Sequence, residues 1–95
     1  MASGTIHPLV QTVDVAGTLT NIAAGSGSAV DLTFTFPPGC SKVISITPYS
    51  LDGFNLVSFW VQQYSNGNHF VTIRVWNGRT SAISELHMNA LIACI

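Results

Sequence analysis

Apolar side chains recur at every second position in several short runs, and nowhere with the spacing of a long helical stripe. That period constrains the fold more than any other feature. Successive side chains on a strand point to opposite faces, so the alternation specifies strands with one face buried. The cleanest run sets Val30, Leu32, Phe34 and Phe36 against Asp31, Thr33 and Thr35. Pro37-Pro38-Gly39 stops it, since proline cannot donate to a ladder and glycine eases a turn. Lys42–Thr47 follows, with Ile44 and Ile46 on one face and Pro48 as its end. Tyr49–Phe54 reads as a loop around Asp52-Gly53. Asn55–Tyr64 is a strand with bulk on both faces. Ser65-Asn66-Gly67-Asn68 predicts a hairpin, because Asn-Gly suits the positive φ of a type I′ turn. His69–Trp76 resumes as a strand, and Asn77-Gly78 marks a second turn. Leu86–Cys94 closes the chain, with Leu86, Met88, Ala90, Ile92 and Cys94 on one face.

Val10–Val15 reads as a first strand and Leu19–Ile22 as a short second one. The small residues Ala23-Ala24-Gly25-Ser26-Gly27-Ser28 then form a flexible link. Short strands between turn signals, with no intervening helix, predict an all-β fold, an antiparallel β-sandwich or barrel. A length of 95 residues supports a single domain. Within it, residues 1–29 form an N-terminal arm or first strand plus the Gly/Ser link, and residues 30–95 form the sandwich.

Only Lys42, Arg74, Arg79, Asp14, Asp31, Asp52 and Glu85 are formally charged, 7% of the chain. An ordinary soluble domain carries roughly 25%. A surface so poor in charge repels a neighbour weakly, which predicts a chain that covers part of itself with copies of itself or a larger assembly. No basic patch supports nucleic-acid binding. No apolar run approaches the ~20 residues of a membrane helix, so membrane insertion is not expected. Met1-Ala2-Ser3-Gly4 lacks the basic and apolar regions of a secretory signal, which predicts a chain made in the cytosol.

The residues point away from catalysis. The four carboxylates read as solvated or turn-capping groups. His7, His69 and His87 share no metal-ligand spacing, and no glycine-rich loop precedes a helix. Cys40 and Cys94 form no metal or redox motif. They read as two small apolar residues with free thiols. A Cys40–Cys94 disulfide is the alternative, which an oxidising compartment and suitable geometry would permit. No catalytic residue, cofactor or metal is expected, and no enzyme. The aromatic residues carry more information. Trp60 and Trp76 lie on adjoining strands of the hairpin, and Trp76 is followed by Asn77 and Arg79. An aromatic face beside amide and guanidinium donors suits a sugar, whose C–H groups stack while its hydroxyls hydrogen-bond. Packing in the core or at a subunit contact is the competing role for each Trp.

The order of these segments resembles the H-type lectin fold family over Val30–Ala93. Phe34-Thr35-Phe36-Pro37-Pro38, Val43-Ile44-Ser45-Ile46-Thr47, Asn55-Leu56 leading to Tyr64-Ser65, Phe70, Trp76 and Asn89-Ala90-Leu91-Ile92-Ala93 carry the likeness. The pattern is also similar to small C-terminal modules of bacteriophage tail-fibre and receptor-binding proteins. The resemblance implies a six-stranded antiparallel sandwich that assembles as a homotrimer. It implies a sugar site with a Trp at Trp76 and an Arg near the end of Asn55–Tyr64, where this chain has Gln62 or Gln63. A Tyr of that site falls near Ala82. The expected function is a non-enzymatic virion structural protein, a capsid decoration or tail-fibre component, with other virion proteins as partners. The alternative is a carbohydrate-binding module that uses Trp76, Asn77, Arg79 and Gln62 on a cell-surface glycan.

Overall fold

The computed structural model describes residues 10–25, 29–36 and 39–95. The first nine residues of the expected arm, the middle of the Gly/Ser link and the Pro37-Pro38 stop lie outside them. Six strands follow in chain order: β1 (Gln11–Ile22), β2 (Val30–Thr35), β3 (Val43–Tyr49), β4 (Val57–Ser65), β5 (Phe70–Asn77) and β6 (Ile83–Cys94). They form two antiparallel three-stranded sheets, ordered β1-β6-β3 and β2-β5-β4, which pack face to face. The fold is all-β and sandwich-like. β4 and β5 form a hairpin, whereas every other connection crosses from one sheet to the other.

The core is what the alternation predicts. Leu86, Met88, Ala90, Ile92 and Cys94 of the central strand β6 face Val71, Ile73 and Val75 of the central strand β5. Ile22 and Phe34 close the layer from β1 and β2. Burying a side chain of this size removes it from water at a gain of roughly 1.5–3 kcal/mol.

Four local features differ from the sequence expectation. First, β1 is one 12-residue strand, not two segments. Gly17 sits at its middle because a Cβ there would lie 3.0 Å from Phe34 Cε1 and 3.1 Å from Leu32 Cδ2. The glycine marks close approach of the two sheets and does not break the strand. Second, β3 continues through Pro48 to Tyr49. It is an edge strand, so the missing N–H of proline can face away from the ladder. Third, Ile44 and Ile46 do not share a face. A bulge between Val43 and Ser45 turns Ile44 outward, where it is 54% exposed. Fourth, the β4–β5 hairpin forms at the expected place with a longer turn. Ser65 pairs with Phe70, leaving four residues in the loop, and the left-handed position is His69 at φ 56°. Ser65 Oγ accepts from the Asn68 amide at 3.1 Å. Asn66 Oδ1 accepts from the Val43 amide at 3.1 Å, so its side chain ties the hairpin to β3.

Cys40 and Cys94 are joined as a disulfide across 54 residues, with Cα atoms 5.5 Å apart. The expected free thiols are therefore not present. Register explains the pairing: Val43 lies opposite Cys94, and the chain just before β3 brings Cys40 alongside.

Candidate functional site

The expected sugar-binding residues fall on two faces of the second sheet and on the turn after β5. Side chains on β5 alternate, so Val71, Ile73, Val75 and Asn77 point inward while Thr72, Arg74 and Trp76 point outward. Trp76 is half-buried on that outer face. Its indole lies across the turn, where a Cβ on Gly78 would come within 2.6 Å of Trp76 Cζ3 and 2.7 Å of the Leu56 carbonyl oxygen. Glycine is required at 78 by that contact. Trp60 of β4 pairs with Arg74, which makes it a diagonal neighbour of Trp76 on the same face. Trp60 Nε1 donates to Gln62 Oε1 at 3.3 Å. Gln62 is the extra residue of a bulge between Val61 and Gln63. That bulge lies level with Ile73 and Thr72, roughly 10–13 Å along β5 from Trp76.

Asn77 is 1% exposed and its amide is spent inside the protein. Nδ2 donates to the carbonyls of Ile22, Ala23 and Ser81 at 3.4, 3.3 and 3.1 Å, and Oδ1 accepts from the Arg79 amide at 3.0 Å. Arg79 donates from its guanidinium to Asn55 Oδ1 and stacks over Phe54 at 5.3 Å from the ring centre. It borders a shallow groove of about 210 Å³ with Asn55, Leu56, Thr80 and Ser81. Trp76 and Gln62 thus share a face, Asn77 lies beneath it, and Arg79 lies at its end. The outer face also holds Arg74, bound to Asp31 by two bonds of 2.8 and 3.1 Å. The Arg74 hydrogen bond holds the Asp31 carboxyl below the usual range.

The opposite outer face, on the first sheet, carries a polar cluster that sequence reasoning did not assemble. His87 Nδ1 lies 3.1 and 3.2 Å from the two Asp52 carboxylate oxygens, and Nε2 lies 2.8 Å from Glu85 Oε1. Asp52 also accepts from the His87 amide at 2.6 Å, and Ser50 Oγ donates to the His87 carbonyl at 2.7 Å. Glu85 and His87 stand two residues apart on one strand face, so half of the cluster was visible as a spacing. Asp52 arrives from the β3–β4 loop, which no local pattern connects to β6. Nearby, Tyr49 donates its hydroxyl to Asp14, and Asn89 Nδ2 donates to the same carboxylate at 3.4 Å.

With a carboxylate at each ring nitrogen, the doubly protonated imidazolium satisfies both partners. The hydrogen bond to Asp52 is the main cause raising the His87 pKa above its ordinary 6.5, with the charges of Asp52 and Glu85 adding to it. Asp52 is held low, chiefly by the His87 backbone amide. The raised His contributes stability below pH 6.5 that is lost as pH rises through its folded value. The lowered Asp contributes above pH 3.8 and loses its contribution as pH falls through its folded value. The pair is therefore strongest between about pH 4 and 6.5. A proton-NMR titration should place the His87 ring above 6.5, and Asp52→Asn should bring it down. An unshifted His87 in the wild type would contradict this geometry.

Compared with protein-family models, with curated proteins and with solved structures, the chain gives no match.

Proposed function

We propose that this chain is a non-enzymatic structural protein of a virion, a capsid-decoration or tail-fibre component of bacteriophage type that assembles as a trimer of sandwiches. One observation carries the reading. Among the described residues, eight large apolar side chains remain exposed on a chain with only seven formal charges. Monomeric surfaces rarely leave such groups in contiguous patches, and assembly surfaces do. The Cys40–Cys94 disulfide is consistent with work on a particle surface, where a bond of this kind persists. The segment order that resembles H-type lectins supports the same architecture, because trimers of sandwiches are its usual form. Native mass measurement at micromolar concentration tests the assembly, with a trimer as the expected species. Uptake onto particles lacking the protein tests the location. A monomer in the first experiment sinks the proposal.

A second reading has its own observation. Trp60 and Trp76 share one outer face with Gln62, next to the Arg74–Asp31 pair. Exposed aromatic faces with polar neighbours suit glycans, and copies held together would add avidity. Trp76→Ala should then abolish glycan-array binding while leaving the oligomer intact.

A further inference from the structure

The exposed apolar residues are not spread over the sandwich. Six of the eight, Ile44, Leu51, Phe54, Leu56, Trp60 and Tyr64, lie between residues 44 and 64, on β3, β4 and the loop joining them. β3 and β4 are edge strands of different sheets that face each other along one side of the molecule. We infer that this β3–β4 flank is the surface through which one copy of the chain docks on a second copy. The inference rests on the assembly reading above and gives it an address.

Several features build the flank. A bulge interrupts each edge strand, at Ile44 on β3 and at Gln62 on β4. Bulges re-aim side chains, and here Ile44 leaves the core side to stand 54% exposed. Tyr64 pairs with the fully buried Val71, yet is itself 53% exposed at the open mouth of the sandwich. Between them runs a cleft of about 230 Å³, whose lining contains no charged residue. Leu56 adopts a left-handed backbone at φ 59°, which is costly for leucine. It is held there by the Gly78 amide, which donates to its carbonyl at 2.8 Å, and its side chain is directed out to 66% exposure.

The identity of the partner follows from charge and area. An identical copy brings identical charges, so a self-docking surface should have none unpaired at its centre. Within residues 43–64 the only charged residue is Asp52, turned onto His87. Arg79, which stacks on Phe54 and donates to Asn55, stands at the opposite end of β4 from the uncharged Ile44–Tyr64 cleft. The six residues leave on the order of 500–850 Å² in solvent, taking roughly 150–250 Å² for each fully exposed. One side of a stable protein–protein contact buries roughly 800 Å², and three copies around a common axis would bring this flank of each against its neighbours. Two positions on the β3 edge are closed to strand addition. The Val43 amide is already capped by Asn66, and Pro48 has no N–H to offer.

Sedimentation velocity on the full oxidised chain tests the inference. Wild type should be oligomeric. Ile44→Lys combined with Tyr64→Lys should weaken association about tenfold or more, as expected of anchors at an interface centre. Val10→Lys, just before β1 on the far edge of the first sheet from β3, should leave it unchanged. Leu56→Asn guards against a trivial loss of fold. Asparagine tolerates the left-handed backbone, so this variant should melt no lower than wild type and still associate more weakly. If wild type is oligomeric and the flank variants remain so, the flank is wrong while the assembly reading stands. If wild type is a monomer, the assembly reading itself is overturned.

Discussion

Replacing Cys40 and Cys94 together by Ala should lower the unfolding free energy by about 2–4 kcal/mol. The bridge closes a loop of 54 residues. In the chain-entropy account, a loop of that length restricts the unfolded chain by roughly 4 kcal/mol, before any native strain is deducted. The bridge also lies where the start of β1 and the end of β6 are tied to the segment leading into β3. The amides of Ser41 and Lys42 both donate to the Ile95 carbonyl at 2.9 Å, and the Ile95 amide returns a bond to Lys42. Gln11 Nε2 donates to the Gly39 carbonyl at 2.9 Å from the start of β1. Both cysteines are almost fully buried, so their sulfurs contribute packing as well. Against the 5–15 kcal/mol of a typical domain this is a large fraction. For a chain of this size it corresponds to a fall of roughly 10–30 °C in melting temperature. Urea denaturation of the oxidised protein, the reduced protein and the double variant checks it. A double variant within about 0.5 kcal/mol of the oxidised wild type would show that the bridge is thermodynamically idle.

That bridge was legible in the sequence only as the alternative to free thiols, and the reason is geometric. A separation of 54 residues carries no information about distance until strand register is known. The inward face of β6 was legible, Cys94 included, because a half-buried strand writes its burial as a period of two. The β2 face was legible for the same reason. What failed were positions where two elements meet. Gly17 lies in the gap between the two expected segments, Val10–Val15 and Leu19–Ile22, and is instead the point where Leu32 and Phe34 press on a continuous β1. Pro48 reads as a stop and is tolerated because β3 has a free edge. Ile44 leaves its expected face because β3 gains a residue against β6. The Asn66-Gly67 signal placed the hairpin correctly but not its turn, since the Asn66 amide oxygen is used by β3.

The candidate site divides the same way. The outward direction of Trp76 follows from alternation along β5, which Val71, Ile73 and Val75 fix from the buried side. The diagonal neighbourhood of Trp60 and Trp76 needs the hairpin register. The Asp52–His87–Glu85 cluster needs a loop conformation that no period encodes. Asn77 illustrates the limit most sharply. A polar residue beside a glycine reads as an exposed turn, yet the same alternation that turns Trp76 out must turn Asn77 in. The role of that amide is to satisfy three carbonyls where β1 ends and the chain approaches β6.

Asn77→Ala should therefore destabilise the fold by about 2–4 kcal/mol, a buried polar group being removed from partners that stay buried. The Ile22, Ala23 and Ser81 carbonyls lose a shared donor, and the Arg79 amide loses its acceptor. Asn77→Asp sharpens the test. The carboxylate keeps the shape and the acceptor but directs negative charge at three carbonyl oxygens in a site 1% exposed. Burial and those oxygens favour the protonated acid, so its pKa must rise in the folded state. Asn77→Asp should then be less stable than Asn77→Ala at pH 7 and recover as pH falls, because protonation restores one donor. Urea midpoints of wild type and both variants at pH 7 and pH 4.5 measure this. Equal stability of all three at pH 7 would mean that the amide is not the lock between β1, the turn and β6. The result also bears on the sugar reading. A loss of glycan binding in Asn77→Ala with a lowered urea midpoint reports on the turn that carries Trp76, whereas a loss with an unchanged midpoint would place Asn77 at the ligand.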